Sequence, residues 1–167
     1  IVVDFHKMGG APYGAGIILY RNKLRNLIEQ PIDYLETTDA TIAGSRPGTS
    51  AVAIWTAIHT SGKDGFKARV QTQLKNKQYC ISEIMRVLPG TEIVTHPNSL
   101  TCGVIFRTVP RQVIDQTIAN TYGLFAKPTP LVFTTEERTE KLYKLYFLPH
   151  MTKGVIRSLI ADLQKMI

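Results

Sequence analysis

Between residues 50 and 90 the chain carries one helical pattern interrupted at a single glycine, and this limits what the remainder can become. Residues 50–61 hold small and apolar side chains on every side (Ala51, Val52, Ala53, Ile54, Trp55, Ala57, Ile58) and stop at Gly62. That pattern predicts a helix buried on most of its surface. Asp64 then caps an amphipathic run in which Phe66, Val70, Leu74, Ile81, Ile84, Met85 and Leu88 fall mostly three, four or seven residues apart. Pro89-Gly90 ends it. A helix of this length commonly connects two lobes.

The periodicity changes on either side. Before the helices, residues 1–4 and 15–20 read as two short apolar strands, and a two-stranded remnant cannot bury its own faces. Residues 21–35 are mixed, with Pro31 breaking any helix, and Glu36-Thr37-Thr38-Asp39 reads as mobile loop. After them, 92–95 and 100–107 read as strands, with Leu100, Cys102, Val104 and Phe106 alternating onto one face. A helix is predicted over 111–122, behind Pro110. Residues 131–134 and 142–148 are further strand candidates. Thr152 caps a closing helix with Val155, Ile156, Leu159, Ile160 and Leu163 on its apolar side. The tail is thus expected to be a small α+β lobe of antiparallel strands with helices on one face.

Composition narrows the function classes. With 44% apolar and 20% charged residues the chain is that of a globular protein. No apolar run approaches the ~20 residues of a membrane helix. Opening on Ile-Val-Val suggests a cut within a longer chain. A net charge of +7 raises nucleic acid as a partner. The basic residues form no run, however; Lys63, Lys67, Arg69, Lys75 and Lys77 read as a solvated helical face, which argues against it. Cys80 and Cys102 lie among apolar residues without CxxC spacing, fitting a reducing compartment and unpaired thiols. Neither they nor His6, His59, His96 and His150 show metal-ligand spacing, so no metal is expected.

The chemistry is concentrated near residue 7. Asp4-Phe5-His6-Lys7 runs into Met8-Gly9-Gly10-Ala11-Pro12-Tyr13-Gly14-Ala15-Gly16. The glycines let backbone approach a bulky ligand. A lysine held in such a site, with a neighbouring histidine, is suited to form a Schiff base. No Lys follows the last glycine, so this is not a P-loop. Gly14-Ala15-Gly16 lacks the third glycine of a dinucleotide fingerprint and opens a strand rather than a helix.

Together with Thr41-Ile42-Ala43-Gly44-Ser45-Arg46-Pro47-Gly48, this stretch resembles the group II amino acid decarboxylases dependent on pyridoxal 5'-phosphate (PLP). The resemblance spans the whole chain and is strongest over residues 4–65. Within the family, the spacing of Ile32-Asp33-Tyr34-Leu35, Asp39-Ala40-Thr41-Ile42 and Gly44-Ser45-Arg46 looks most like the histidine and serine decarboxylase branch. Arg46-Pro47-Gly48 looks more like the sphingosine-phosphate lyase branch. Tyr13-Gly14 departs from the Pro-Cys of histidine decarboxylases.

The fold that the resemblance implies is α/β, the C-terminal part of a fold-type I PLP-dependent enzyme. Residues 1–62 would end the large PLP-binding domain, 63–90 form the connecting helix, and 91–167 the small C-terminal α+β domain. The family's pyridinium aspartate, ring-stacking residue and main phosphate loop precede its lysine, and no segment here matches them. The chain alone should therefore be inert.

The same resemblance makes Lys7 the aldimine lysine and places His6 near the cofactor phosphate. Tyr34 falls in a segment matching a mobile catalytic loop, where a tyrosine returns a proton to the substrate; a packing tyrosine is the alternative. Gly44 and Ser45 match the place where one subunit of a homodimer reaches its partner's cofactor phosphate, and Arg46 is more readily an interfacial structural arginine. Tyr146 stands where aromatic amino acid decarboxylases carry an arginine. His150 has a counterpart in the histidine and serine branch, although a surface histidine is the simpler reading. The implied activity is decarboxylation of an L-amino acid, histidine-like or otherwise polar or aromatic, to an amine and carbon dioxide by a cytoplasmic homodimer that contacts neither membrane nor nucleic acid. The alternatives are a PLP-dependent carbon–carbon lyase of the sphingosine-phosphate type, or a non-catalytic binding module derived from a decarboxylase.

Overall fold

The computed structural model describes residues 1–41, 46–124, 127–131 and 138–167. The chain divides into two units, Ile1–Phe66 and Lys67–Ile167.

In the first unit, β1 (Val2–Val3) pairs antiparallel with β2 (Ile17–Ile18), Val2 opposite Ile18. A helical turn over Phe5–Gly9 follows β1 and ends at Gly10, whose φ of 75° only glycine adopts freely. The short helix α1 (Asn22–Arg25) leads to a second hairpin, β3 (Gln30–Ile32) with β4 (Thr37–Asp39). The expected loop at 36–39 is therefore mostly a strand. Pairing across the Asp33–Leu35 turn organises it, and a partner strand is a non-local cause that a polar Thr-Thr-Asp run does not announce. Pro31 fits because a hairpin of two strands has free edges that need no N–H.

Helix α2 (Gly48–Val87) is continuous except at Gly62, whose backbone (φ 57°, ψ −178°) is non-helical. The break falls where the sequence placed it. The expected burial of its first half does not hold: Val52, Trp55 and Ile58 are exposed, and only Ile54 is buried, in a small cluster with Ala11 and Ala15. The short hairpins supply too little surface to cover a helix apolar on all sides.

The second unit has a continuous core. Its four antiparallel strands run in the order β5 (Glu92–Thr95), β6 (Thr101–Ile105), β8 (Arg138–Tyr146), β7 (Lys127–Leu131). Against one face pack the later turns of α2, the helical segment spanning α3 (Arg111–Ile114), wider turns (Asp115–Ala119) and α4 (Asn120–Tyr122), and α5 (Lys153–Gln164). Cys80, Ile84 and Val87 from α2, with Leu88 just after it, meet Cys102 and Val104, Tyr143, Leu145 and Phe147, and Ile156, Leu159, Ile160 and Leu163 there. Each such large apolar side chain contributes about 1.5–3 kcal/mol on burial. Thr152 caps α5, its hydroxyl accepting from the Val155 N–H at 3.4 Å. Met85, expected on the apolar side of α2, is half exposed.

The backbone N–H of Phe147 donates to the Leu100 carbonyl at 2.8 Å. By the alternation of antiparallel ladders, odd positions of β8 bond toward β6 and even positions toward β7. Leu142 then faces Lys127, while Pro128 and Pro130 fall where the edge strand β7 needs no donor. Strand β7 covers only the start of the predicted 131–134 strand; 132–137 lie outside the described residues.

Candidate functional site

Lys7 sits on the helical turn between β1 and β2. Its ammonium donates to Asp4 Oδ2 at 2.6 Å, one turn back, and its side chain is 57% exposed. The lysine holds the Asp4 carboxyl below the usual carboxylate range by hydrogen bond and charge. The expected burial of Lys7 is thus absent in this unit, because it stands on a turn none of whose residues is buried. The Asp4–Lys7 pair was legible only as an i,i+3 spacing.

His6 is held from two sides. Its backbone N–H donates to the Ala15 carbonyl at 3.0 Å, and its Nδ1 lies 3.2 Å from the same oxygen. Tyr13 packs edge-on to the imidazole with 5.2 Å between ring centres. The Nδ1 contact to a carbonyl requires a proton on Nδ1. Gly9 is needed for a steric reason, since a Cβ there would run into the Phe5 ring. Phe5 in turn packs edge-on against Phe66 at 6.2 Å.

Tyr34 occupies the turn of the second hairpin and is 85% exposed, so it packs no core. Glu36, behind it, takes a left-handed φ of 50°, a conformation a non-glycine residue holds at some cost. Asp39 is clamped at the end of β4, accepting from the Ala40 N–H at 2.7 Å and from the Thr41 hydroxyl at 2.9 Å. The Thr41 hydrogen bond is the main cause of its lowered pKa. Gly44 and Ser45 lie outside the described residues; Arg46, the next residue, is exposed. Two expected site residues, His6 and Lys7, therefore share one turn, and Tyr34 stands on a different hairpin.

In the second unit, Tyr146 and His150 both line a cleft with Lys144. The two cysteines are unpaired and buried; burial pushes the Cys80 thiol up to about 12 and the Cys102 thiol up to about 11. Among the described residues no group of three or more His, Cys, Asp and Glu could hold a metal ion, and no helix is long and apolar enough to cross a membrane.

No family model matches the chain. Its sequence is 28% identical to a tryptophan decarboxylase of Clostridium sporogenes, over 99% of this chain and 36% of that protein. It is 32% identical to a probable L-aspartate decarboxylase of Archaeoglobus fulgidus, over 100% of this chain and 42% of that protein. Histidine decarboxylases of Acinetobacter baumannii are 35% identical over 60% of the chain and 26% of their own length. The chain thus spans well under half of the curated relatives it matches. Among solved structures, a sphingosine-1-phosphate lyase of Burkholderia pseudomallei superposes with a TM-score of 0.75 at 17% identity, over 99% of this chain and 36% of that one. An L-methionine decarboxylase of a Streptomyces species gives 0.71 at 22% identity, over 99% and 31%. These likenesses establish the fold.

Proposed function

We propose that this chain, a homologue of amino-acid decarboxylases with the fold of the C-terminal portion of a fold-type I enzyme, carries the lysine of a PLP-dependent carboxy-lyase. The observation that carries the reading is the Asp4–Lys7 turn: an accessible primary amine paired with a carboxylate one turn back, in a chain that aligns from end to end with decarboxylases. An accessible primary amine suits a lysine that must condense with an aldehyde, so the residues present fit the cofactor. When bound, PLP supplies the electron sink that accepts the pair left as carbon dioxide departs.

The chain's own residues supply the rest. Lys7 anchors the cofactor, and Asp4 orients its amine. His6, held by the Ala15 carbonyl, would stand near the cofactor phosphate. Tyr34, at a hairpin tip and free of core packing, delivers a proton from its hydroxyl to the carbon that has lost carbon dioxide. Gly44 and Ser45 offer a backbone N–H and a hydroxyl to the phosphate, from the partner subunit of a homodimer. The exposed apolar positions Val52, Trp55 and Ile58 give such a dimer a surface to cover. The two buried thiols suit a reducing compartment such as the cytoplasm. The substrate is an L-amino acid, and the relatives' names span aromatic, acidic and imidazole side chains.

A carbon–carbon lyase of the sphingosine-phosphate type is the second reading, favoured by the lyase superposition and by Arg46-Pro47-Gly48. Borohydride reduction of the PLP-loaded protein containing this chain, followed by peptide mapping, tests the anchor. A pyridoxyl group on Lys7 is expected; recovery on another lysine overturns the assignment. Amine and carbon dioxide released from an L-amino acid separate the decarboxylase from the lyase, which would release an aldehyde from a phosphorylated amino alcohol.

A further inference from the structure

The turn joining β5 to β6 gathers oxygen atoms around one point. The ammonium of Lys77, on α2, donates to the carbonyls of Ser99 at 2.7 Å, His96 at 2.8 Å and Pro97 at 3.0 Å. The Thr95 hydroxyl oxygen stands at 3.5 Å. An ammonium has three N–H bonds, and three close carbonyls meet them. Lys77 is only 2% exposed, and each of these partners is a neutral oxygen. A buried charge is costly unless it is compensated, so carbonyl dipoles here replace its shell of water.

The turn itself places those oxygens. The Ser99 N–H donates to the His96 carbonyl at 3.0 Å, and the Asn98 N–H to His96 Nδ1 at 3.2 Å. The Thr101 N–H donates to Ser99 Oγ at 3.1 Å. The Thr95 hydroxyl donates to the Thr101 carbonyl at 2.8 Å, which leaves its lone pairs for the ammonium. None of these bonds uses the lysine, and the β5–β6 ladder closes the turn behind them. The ring of oxygens therefore belongs to the turn, and the side chain of Lys77 enters it.

Rings of backbone carbonyls can stand in for the hydration shell of potassium. Ammonium and potassium ions are close in size and equal in charge. Calcium and magnesium take oxygen ligands at about 2.0–2.6 Å, carboxylates prominent among them. Neutral oxygens at 2.7–3.0 Å do not suit those ions. From this geometry we infer that the 95–99 turn is a binding site for a dehydrated monovalent cation, potassium or a primary ammonium, and that Lys77 fills it from within the chain. Shortening the lysine should open the site to free cations. It lies wholly within the Lys67–Ile167 unit and requires no cofactor, so it stands or falls separately from the decarboxylase reading.

Thermal unfolding of the full chain carrying Lys77→Ala, in chloride salts of equal ionic strength, tests the site. n-Propylammonium supplies the atoms from Cγ to Nζ that alanine lacks, and potassium supplies the charge alone. Each should raise Tm saturably over tetramethylammonium, which is too large for the ring and has no N–H. At tenfold excess over Kd the rise should be about 3–6 °C. n-Propanol, which fills the stem without a charge, should give no rise. The wild type, already filled, should not distinguish the three salts. Stabilisation of Lys77→Ala by neither cation, an equal rise with n-propanol, or the same rise in the wild type would each overturn the site. Should Lys77→Ala not fold in tetramethylammonium, Lys77→Leu keeps more of the stem and leaves the head position open. Potassium should stabilise Lys77→Leu, and failure of both cations to restore or stabilise either variant overturns the inference.

Discussion

The ammonium of Lys77 donates to the carbonyl oxygen of Ser99 at 2.7 Å, inside the second unit and with only 2% of the lysine exposed. It also donates to the carbonyls of His96 at 2.8 Å and Pro97 at 3.0 Å, so one side chain of α2 holds the turn between β5 and β6. Lys77→Met keeps the stem but takes the ammonium from the Pro97 and Ser99 carbonyls, while the His96 carbonyl still accepts from the Ser99 N–H at 3.0 Å. It should destabilise the chain by about 2–4 kcal/mol, the scale of stranded buried polar groups. Denaturant unfolding monitored by circular dichroism measures it; a loss below about 0.5 kcal/mol would mean that the turn holds itself.

Gly62 interrupts α2 at a φ of 57° with nothing within 4 Å of where a Cβ would stand. The cost of Gly62→Ala is therefore one of backbone conformation alone, about 1–3 kcal/mol. Gly65 is the control. It lies within the helix, where a Cβ would meet only the Ser61 Cβ at 3.3 Å, and Gly65→Ala should be neutral or stabilising by up to about 1 kcal/mol. Equal unfolding midpoints for the two variants would contradict the assigned conformation.

Both thiols have folded pKa values above the ordinary 9.0, Cys80 at about 12 and Cys102 at about 11, chiefly through burial. Because the folded state disfavours the thiolate, this stability is fully present below pH 9 and is lost as pH rises through about 11 to 12. In the native chain both cysteines should resist iodoacetamide at pH 8, and both should react once it is unfolded. Rapid labelling of native chain would place the thiols outside the core.

For the PLP-loaded protein containing this chain, Tyr34→Phe should leave cofactor absorbance intact and slow amine formation by on the order of 100-fold or more, the scale of a lost proton donor. Its exposure means that folding should be unaffected, so unchanged unfolding with unchanged turnover would remove Tyr34 from the chemistry.

If Gly44 completes the partner's site, a Lys7→Ala subunit mixed with a Gly44→Trp subunit should regain activity. Each homodimer lacks one component. In the heterodimer the site holding wild-type Lys7 receives the partner's wild-type Gly44, so about half of wild-type activity is expected per dimer. Verified heterodimers that fold yet stay inactive would place Gly44 in its own subunit's site.

The sequence alone determined the features whose causes are local. The Gly62 break, strand β5 at Glu92–Thr95, the Thr152 cap and the apolar stripe of α5 each follow from backbone freedom, alternation or capping within a few residues. Lys7 and His6 stood out for the same reason, as a short motif beside glycines. What lay beyond reach depends on partners distant in the chain. Lys77 read as part of a solvated basic face because nothing near it in sequence says that the turn at 96–99 will fold over its ammonium. Strand β4 read as loop because only β3 makes it a strand. Residues 50–61 read as buried because apolar composition signals a need for cover, whereas cover itself is supplied only by tertiary neighbours; here Val52, Trp55 and Ile58 remain exposed. The ion pair that holds Lys7 was likewise decided by where the folded backbone directs side chains. Local sequence sets conformational preference, and only the assembled chain sets which groups meet.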